Sequence, residues 1–204
     1  MDLLALAMAA EFRVVDADAA IRTLDLLGDH LARLAGTTQQ RPLDLSLACG
    51  QLLGRQNGFS GERERYDDPD NSMLDLVLAR RRGLPILLSV IYIEVARRAG
   101  IPLDGVGLPG HFVVGHFGCD PPVLLDPFSG GAHIDAPVAD RLIRPWHPHE
   151  IATRMLNNLV ASYQRRGDLG PAIRAAQMRL MLPSEDSLRD TMRAELRALQ
   201  ARLN

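Results

Sequence analysis

The sequence contains no lysine, and all 23 of its basic residues are arginine. That excludes a Schiff-base lysine and an internal lysine amine as acyl acceptor. Cysteine is almost as scarce. Cys49 and Cys119 make no disulfide framework and suit a reducing compartment, so the expected location is the cytoplasm. No apolar run approaches the roughly 20 residues that span a bilayer, so no membrane association is expected. The short run Leu3–Ala10 follows an acidic Asp2 and lacks the basic start and length of a signal peptide. Excess positive charge is absent too: the net charge is −2. Arg80-Arg81-Arg82 has no aromatic interleaving and ends a helical stretch, where cations suit the dipole, so nucleic acid is not an expected partner.

What is present is ordinary globular material. At 204 residues, 47% apolar and 24% charged, the chain has enough length for one large or two small domains with a proper core. Residues 1–56 read as helical, with apolar spacing near three and four broken at Gly36-Thr37-Thr38 and Arg41-Pro42. Asn57-Gly58 and Ser60-Gly61 mark a loop. The run Glu62–Asp70 (ERERYDDPD) reads as a solvated connection. Asn71 or Ser72 is placed to cap a helix through Arg82, and Gly83 to end it.

The next helix is expected over Pro85–Ala99. Its polar positions before Arg97 are Ser89, Tyr92 and Glu94, so it should be a central helix, buried on several sides. Pro85 suits a first helical turn, where its missing N–H is no loss. Gly100 and Pro102 stop the helix. Strand character follows in Val106–Phe117 and Val123–Leu125, with turns at Gly118–Pro122 and Ser129-Gly130-Gly131 and a short strand at Ala132–Ile134. From Pro148 the pattern is helical to the end. Residues 151–182 suit two antiparallel helices of the tetratricopeptide (TPR) type, followed by a third over Glu185–Leu203.

His111 stands near the start of one predicted strand and Asp126 at the end of the next. Antiparallel pairing brings these ends together, and a carboxylate on one imidazole nitrogen leaves the other free to act as a base. On these two residues alone the plainer reading is a core histidine held by a buried aspartate. The preceding helix shifts the balance, because a thiol at its start would complete a Cys-His-Asp order. The chain has Pro85 there. Ser89, one turn further on, is about 6 Å deeper along the helix and is expected to bond the carbonyl one turn back. Cys119 sits in a turn on the wrong side of the hairpin from His111. Cys49 reads as a small core residue. His111, His116, His133, His147, His149 and Cys119 show no recognised metal-ligand spacing, so neither a metal nor any other cofactor is expected.

Gly83-Leu84-Pro85, ARRAGIP (Ala96–Pro102), GHF (Gly110–Phe112) and LDPF (Leu125–Phe128) together resemble a transglutaminase-like core. The closer resemblance is to the bacterial SirB-type branch, which joins such a domain to TPR-like helices. It is carried by GFSGERERYDDPDNSML (Gly58–Leu74), VLARRRGLPILLSVIYIEVARRAG (Val77–Gly100), PGHFVV, LLDPFSGG and RMLNNL (Arg154–Leu159), over about residues 57–183. The resemblance implies an α+β, papain-like fold with His111 and Asp126 as inherited catalytic positions. It also implies that a Pro at the cysteine position is a trait of the branch.

The expected organisation is therefore an N-terminal helical region over 1–56, a transglutaminase-like core over 57–147, and TPR-like helices over 148–204. The leading expectation is a non-catalytic module for a protein or peptide partner. The alternative is a hydrolase or acyltransferase using His111 and Asp126 with Ser89 or Cys119 as an unorthodox nucleophile. A purely structural His-Asp pair is third.

Overall fold

The computed structural model describes residues 1–134 and 143–203. Part of the expected core segment, 135–142, lies outside the described residues. Three helices open the chain: α1 (Asp2–Ala10), α2 (Ala17–Ala35) and α3 (Pro42–Cys49). Asp16 caps α2 by accepting the Ala19 N–H at 2.9 Å. The expected breaks hold: α2 stops at Gly36, and Pro42 starts α3. α3 then widens into a π-helical segment, Gly50–Gln56, which apolar spacing alone does not distinguish from α-helix.

The next elements are β1 (Ser60–Gly61), a 3₁₀ turn at Pro69–Ser72, α4 (Leu74–Arg80), β2 (Arg82–Gly83) and α5 (Pro85–Arg98). The expected cap at Asn71 or Ser72 falls inside the 3₁₀ turn, and Met73 precedes α4. Asn71 has another use. It is buried, and its amide donates to the Arg65 carbonyl at 2.6 Å while its own carbonyl accepts the Leu84 N–H at 3.1 Å. The charged run Glu62–Asp70 lies at the surface as expected, with residues 63–67 exposed, and Asn71 fastens its backbone to the start of α5.

α5 is buried from Pro85 through Tyr92 and again over Glu94–Ala96. Gly28 of α2 faces Arg98 so closely that an added Cβ would stand 2.5 Å from the Arg98 Cβ. α2, α4 and α1 cover one side of α5, and strand β4 lies against another. Glu94 is the charged group on this buried surface, and three cations meet it. The Met1 amino group lies 2.6 Å away, Arg97 2.9 Å and Arg98 3.0 Å. Arg98 also reaches Asp2 and Asp25, each at 2.6 Å, joining α5 to α1 and α2. A buried carboxylate without such partners would be strongly destabilising.

Beyond Gly100, which turns the chain in the left-handed region, four strands form an antiparallel meander. They are β3 (Asp104–Leu108), β4 (His111–His116), β5 (Val123–Asp126) and β6 (Ala132–Ile134). The expected strand 106–117 is thus two, folded at Pro109-Gly110 with Leu108 opposite His111. Gly110, with φ +70°, makes that tight reversal possible. Phe112, Val114 and Leu125 join the main core under α5, while Val106, Val113 and Leu124 form a second, smaller cluster.

Three helices close the chain: α6 (Pro148–Arg166), α7 (Leu169–Leu180) and α8 (Asp186–Leu203). The Gly167-Asp168 link returns α7 along α6, and the fully buried Ala172, Ala175 and Ala176 allow close packing. One continuous apolar cluster includes Leu6, Leu31, Leu53, Leu87, Val114, Leu156 and Leu199, drawing on every part of the chain.

The turn after β5 rests on the π-helical segment through glycines. A Cβ on Gly54 would collide with the Gly130 carbonyl oxygen, and one on Gly50 would stand 2.5 Å from that of Gly131. Backbone cannot yield as a flexible side chain can. Gly54→Ala should therefore cost about 1–3 kcal/mol in urea unfolding, although alanine is the better helix former on propensity alone.

Candidate functional site

The register of β4 and β5, with Val114 opposite Leu125, carries the start of one strand beside the end of the other. His111 Nε2 stands 3.0 Å from Asp126 Oδ1. The same oxygen accepts the Phe128 N–H at 2.9 Å, so the carboxylate also caps the turn Pro127–Ser129. Burial pushes the Asp126 carboxyl up, but contacts with His111 and Ser129 outweigh it and hold the group below its usual value. The His111 side chain remains 31% exposed, enough for a ligand to meet it, whereas Asp126 is 12% exposed. Nδ1 of His111 has no protein partner among the described residues. The pair can therefore orient an imidazole and leave one nitrogen facing outward.

Aromatic contacts tie this pair to the start of α5. The Phe128 ring packs edge-on against His111, with centroids 6.1 Å apart, and against Tyr66 at 6.3 Å. The guanidinium of Arg63 lies 5.0 Å from the Phe128 centroid, in cation–π range. Phe128 also fills the space where a side chain on Gly61 would project. Gly61 pairs with Gly83, two residues before Pro85. His111, Phe128, Gly61 and Gly83 thus form one contiguous path to the first turn of α5.

Pro85 occupies that first turn, buried and without a nucleophilic atom. Ser89 is fully buried, and its hydroxyl has no hydrogen-bond partner. That differs from the expected bond to the carbonyl one turn back, and the burial keeps Ser89 from any external acyl group. Cys119 is exposed in the β4–β5 turn, its thiol 3.3 Å from the Pro121 carbonyl oxygen. At about 3.4 Å per residue, the five steps from His111 to His116 alone place that turn some 17 Å from His111. Neither candidate nucleophile is brought to the pair. Cys49 is buried, and burial pushes its thiol up to about 12. Among the described residues no group of three or more His, Cys, Asp or Glu side chains is arranged to hold a metal ion.

Four features were not singled out from the sequence: the Phe128 ring, Arg63 and Tyr66 on it, and the Tyr92 hydroxyl. Tyr92 is fully buried with its hydroxyl unpartnered, close under Gly131. Burial pushes that hydroxyl up, with Cys49 and Asp126 acting in the same direction. The motif LDPF contains Phe128, but only the fold shows that the ring contacts both His111 and β1.

A profile described as the transglutaminase-like superfamily matches residues 18–163. The chain belongs to that superfamily. The match begins inside α2, in keeping with the contribution of α2 to the core. A UPF0162 protein of Xylella fastidiosa is 38% identical over 169 residues, covering 73% of this chain and 60% of that protein. A UPF0162 protein of Pseudomonas aeruginosa is 31% identical over 165 residues, with the same coverage. Human F-box only protein 21 is 39% identical over 67 residues, 33% of this chain and 11% of that protein. The chain spans about 60% of the length of the bacterial relatives it matches most fully. No solved structure gives a significant match. No helix among the described residues is long and apolar enough to cross a membrane.

A carboxylate held below its ordinary value stabilises the fold above its unfolded titration range, near pH 4, and that contribution is lost as pH falls through the folded value. Asp126→Asn should therefore lower stability by about 1–3 kcal/mol at neutral pH. The variant should also lose less stability than the parent on acidification below about pH 4, as read by urea unfolding at both pH values.

Proposed function

We propose that this chain is a SirB-type transglutaminase-like module that has lost acyl-transfer chemistry and binds a protein or peptide partner beside His111. The observation that carries the reading is Pro85 at the start of α5, where catalytic members of the superfamily hold their cysteine. Removing the nucleophile of a catalytic triad can cost about 10⁶-fold in turnover, so a bare His-Asp pair would sustain negligible covalent chemistry. His111 and Asp126 are the inherited positions, and they give the partner a half-exposed imidazole beside the aromatic surface of Phe128 and Tyr66. The working division is a helical region over 1–56, the core over 57–147 and TPR-like helices over 148–204, acting in the cytoplasm.

The second reading, a hydrolase in which His111 activates water, is favoured by one feature: the uncommitted Nδ1 of an oriented imidazole. The two readings part on turnover. The purified protein should release no product from peptide amides and esters, and His111→Ala should weaken partner capture by a protein that still folds, its melting temperature falling modestly as Asp126 loses that contact. Turnover that disappears in His111→Ala would overturn the binding reading.

The inherited frame is tested by restoring its missing atom. In Pro85→Cys the new thiol should be alkylated by iodoacetamide at lower pH than Cys119, located by mass spectrometry, and adding His111→Ala should abolish that difference. Equal reactivity of the two thiols with His111 intact would show that the frame around α5 is not a triad frame.

A further inference from the structure

A second groove lies apart from His111, between the first half of α6 and the turn joining α7 to α8. Its volume is about 350 Å³, within the range of small-ligand sites. Glu150, Thr153, Arg154 and Asn157 recur at three- and four-residue spacing, so one face of α6 forms a wall. Trp146 forms another. Its backbone N–H donates to the Gly105 carbonyl at 2.9 Å, and its ring packs against Phe112 at 5.3 Å and over Gly107. The tryptophan is thereby fixed against the sheet.

Two donors in the lining of this groove, on Asn157 and Arg154, are unused among the described residues. Arg179 is buried on α7 and donates to Asn157 Oδ1 at 2.7 Å, with Glu195 as its ionic partner. An acceptor so engaged leaves the Asn157 amide N–H₂ as the free end, and that end has no partner among the described residues. Arg154, one turn earlier, is half-buried and has neither a hydrogen bond nor an ion pair among the described residues. A partly desolvated guanidinium without a counter-ion stands to gain from an anion. Of the acidic groups in the lining, Glu150 is already committed to Arg144 at 2.5 Å and to the His147 N–H at 2.8 Å. Glu185 is exposed at the rim, where water screens it. Leu188 and Pro183 add apolar surface opposite α6.

We propose that this groove binds the C-terminal residue of a peptide, with the terminal carboxylate on Arg154 and the Asn157 amide and an apolar side chain against Trp146 and Leu188. The assignment does not depend on the reading of the His111 site. A bidentate guanidinium–carboxylate contact supplies direction, and the apolar wall favours leucine-like over charged residues.

The test uses the whole protein with N-acetylleucine and N-acetylleucinamide as probes at millimolar concentration. Trp146, the single tryptophan of the sequence, serves as the fluorescent reporter. The acid should change its emission saturably, and the amide should bind at least about tenfold more weakly, as expected for loss of a charge-assisted contact. Arg154→Ala should abolish the response. Asn157→Asp keeps an acceptor for Arg179 but removes the amide donor, so it should abolish binding with no fall in melting temperature. His111→Ala should bind as the parent does. Equal affinity for acid and amide, no response to the acid, or undiminished binding by Arg154→Ala and Asn157→Asp would each overturn the proposal. Loss of binding in His111→Ala would overturn it as well, by moving the carboxylate to the other site.

Discussion

The burial of α5 is the constraint on which the rest of this structure depends. A helix with almost no polar face cannot lie on a surface, so every neighbouring element is arranged to cover it. The sheet takes one side, α1, α2 and α4 take the other, and Phe59 and Met73 are buried in the same core. The charged group that this arrangement must accommodate is Glu94, and the cations around it join α5 to the first two helices. Covering α5 also fixes what its N-terminal end can meet. Gly83 and Gly61 bring β1 alongside, Phe128 fills the space that Gly61 leaves, and His111 packs on Phe128.

On the reading proposed above, the site keeps the frame of a Cys-His-Asp centre without its thiol. In a thiol enzyme of this design the helix start would supply a nucleophile and the strands would supply its base and orienting carboxylate. Here the strands do their part and the helix offers Pro85. A ring at a first helical turn is conformationally favourable, so the absent thiol leaves no strain behind. The His-Asp pair retains structural work, because Asp126 caps the Pro127–Ser129 turn as well as facing His111. On the proposed reading, these two duties would hold the pair in place without a thiol.

Much of this was legible in the residues. The apolar run 85–96 announced a central helix, Gly100 its end, and the opposed positions of His111 and Asp126 followed from two short strands and a turn. The run Glu62–Asp70 is at the surface, as its charge suggests, but its attachment to the fold through a buried Asn71, which clamps backbone six residues away, is not encoded in that charge. The π-helical widening over 50–56 has no signature in apolar spacing. The role of Phe128 depends on a contact with Gly61, 67 positions earlier, which no local pattern encodes. The fate of Ser89 could not be read either, since an unpartnered buried hydroxyl breaks the rule from which its bond was expected.

The seating of the Ser129–Gly131 turn on Gly50 and Gly54 matters for how the site is inherited. At both places bare backbone meets bare backbone, with no side chain between to be exchanged for a larger or smaller one. The position of Asp126 is thus referred to the N-terminal helices through contacts that tolerate no gradual adjustment. The first 56 residues and the strand that carries the carboxylate are, in this sense, bound to change together or remain as they are.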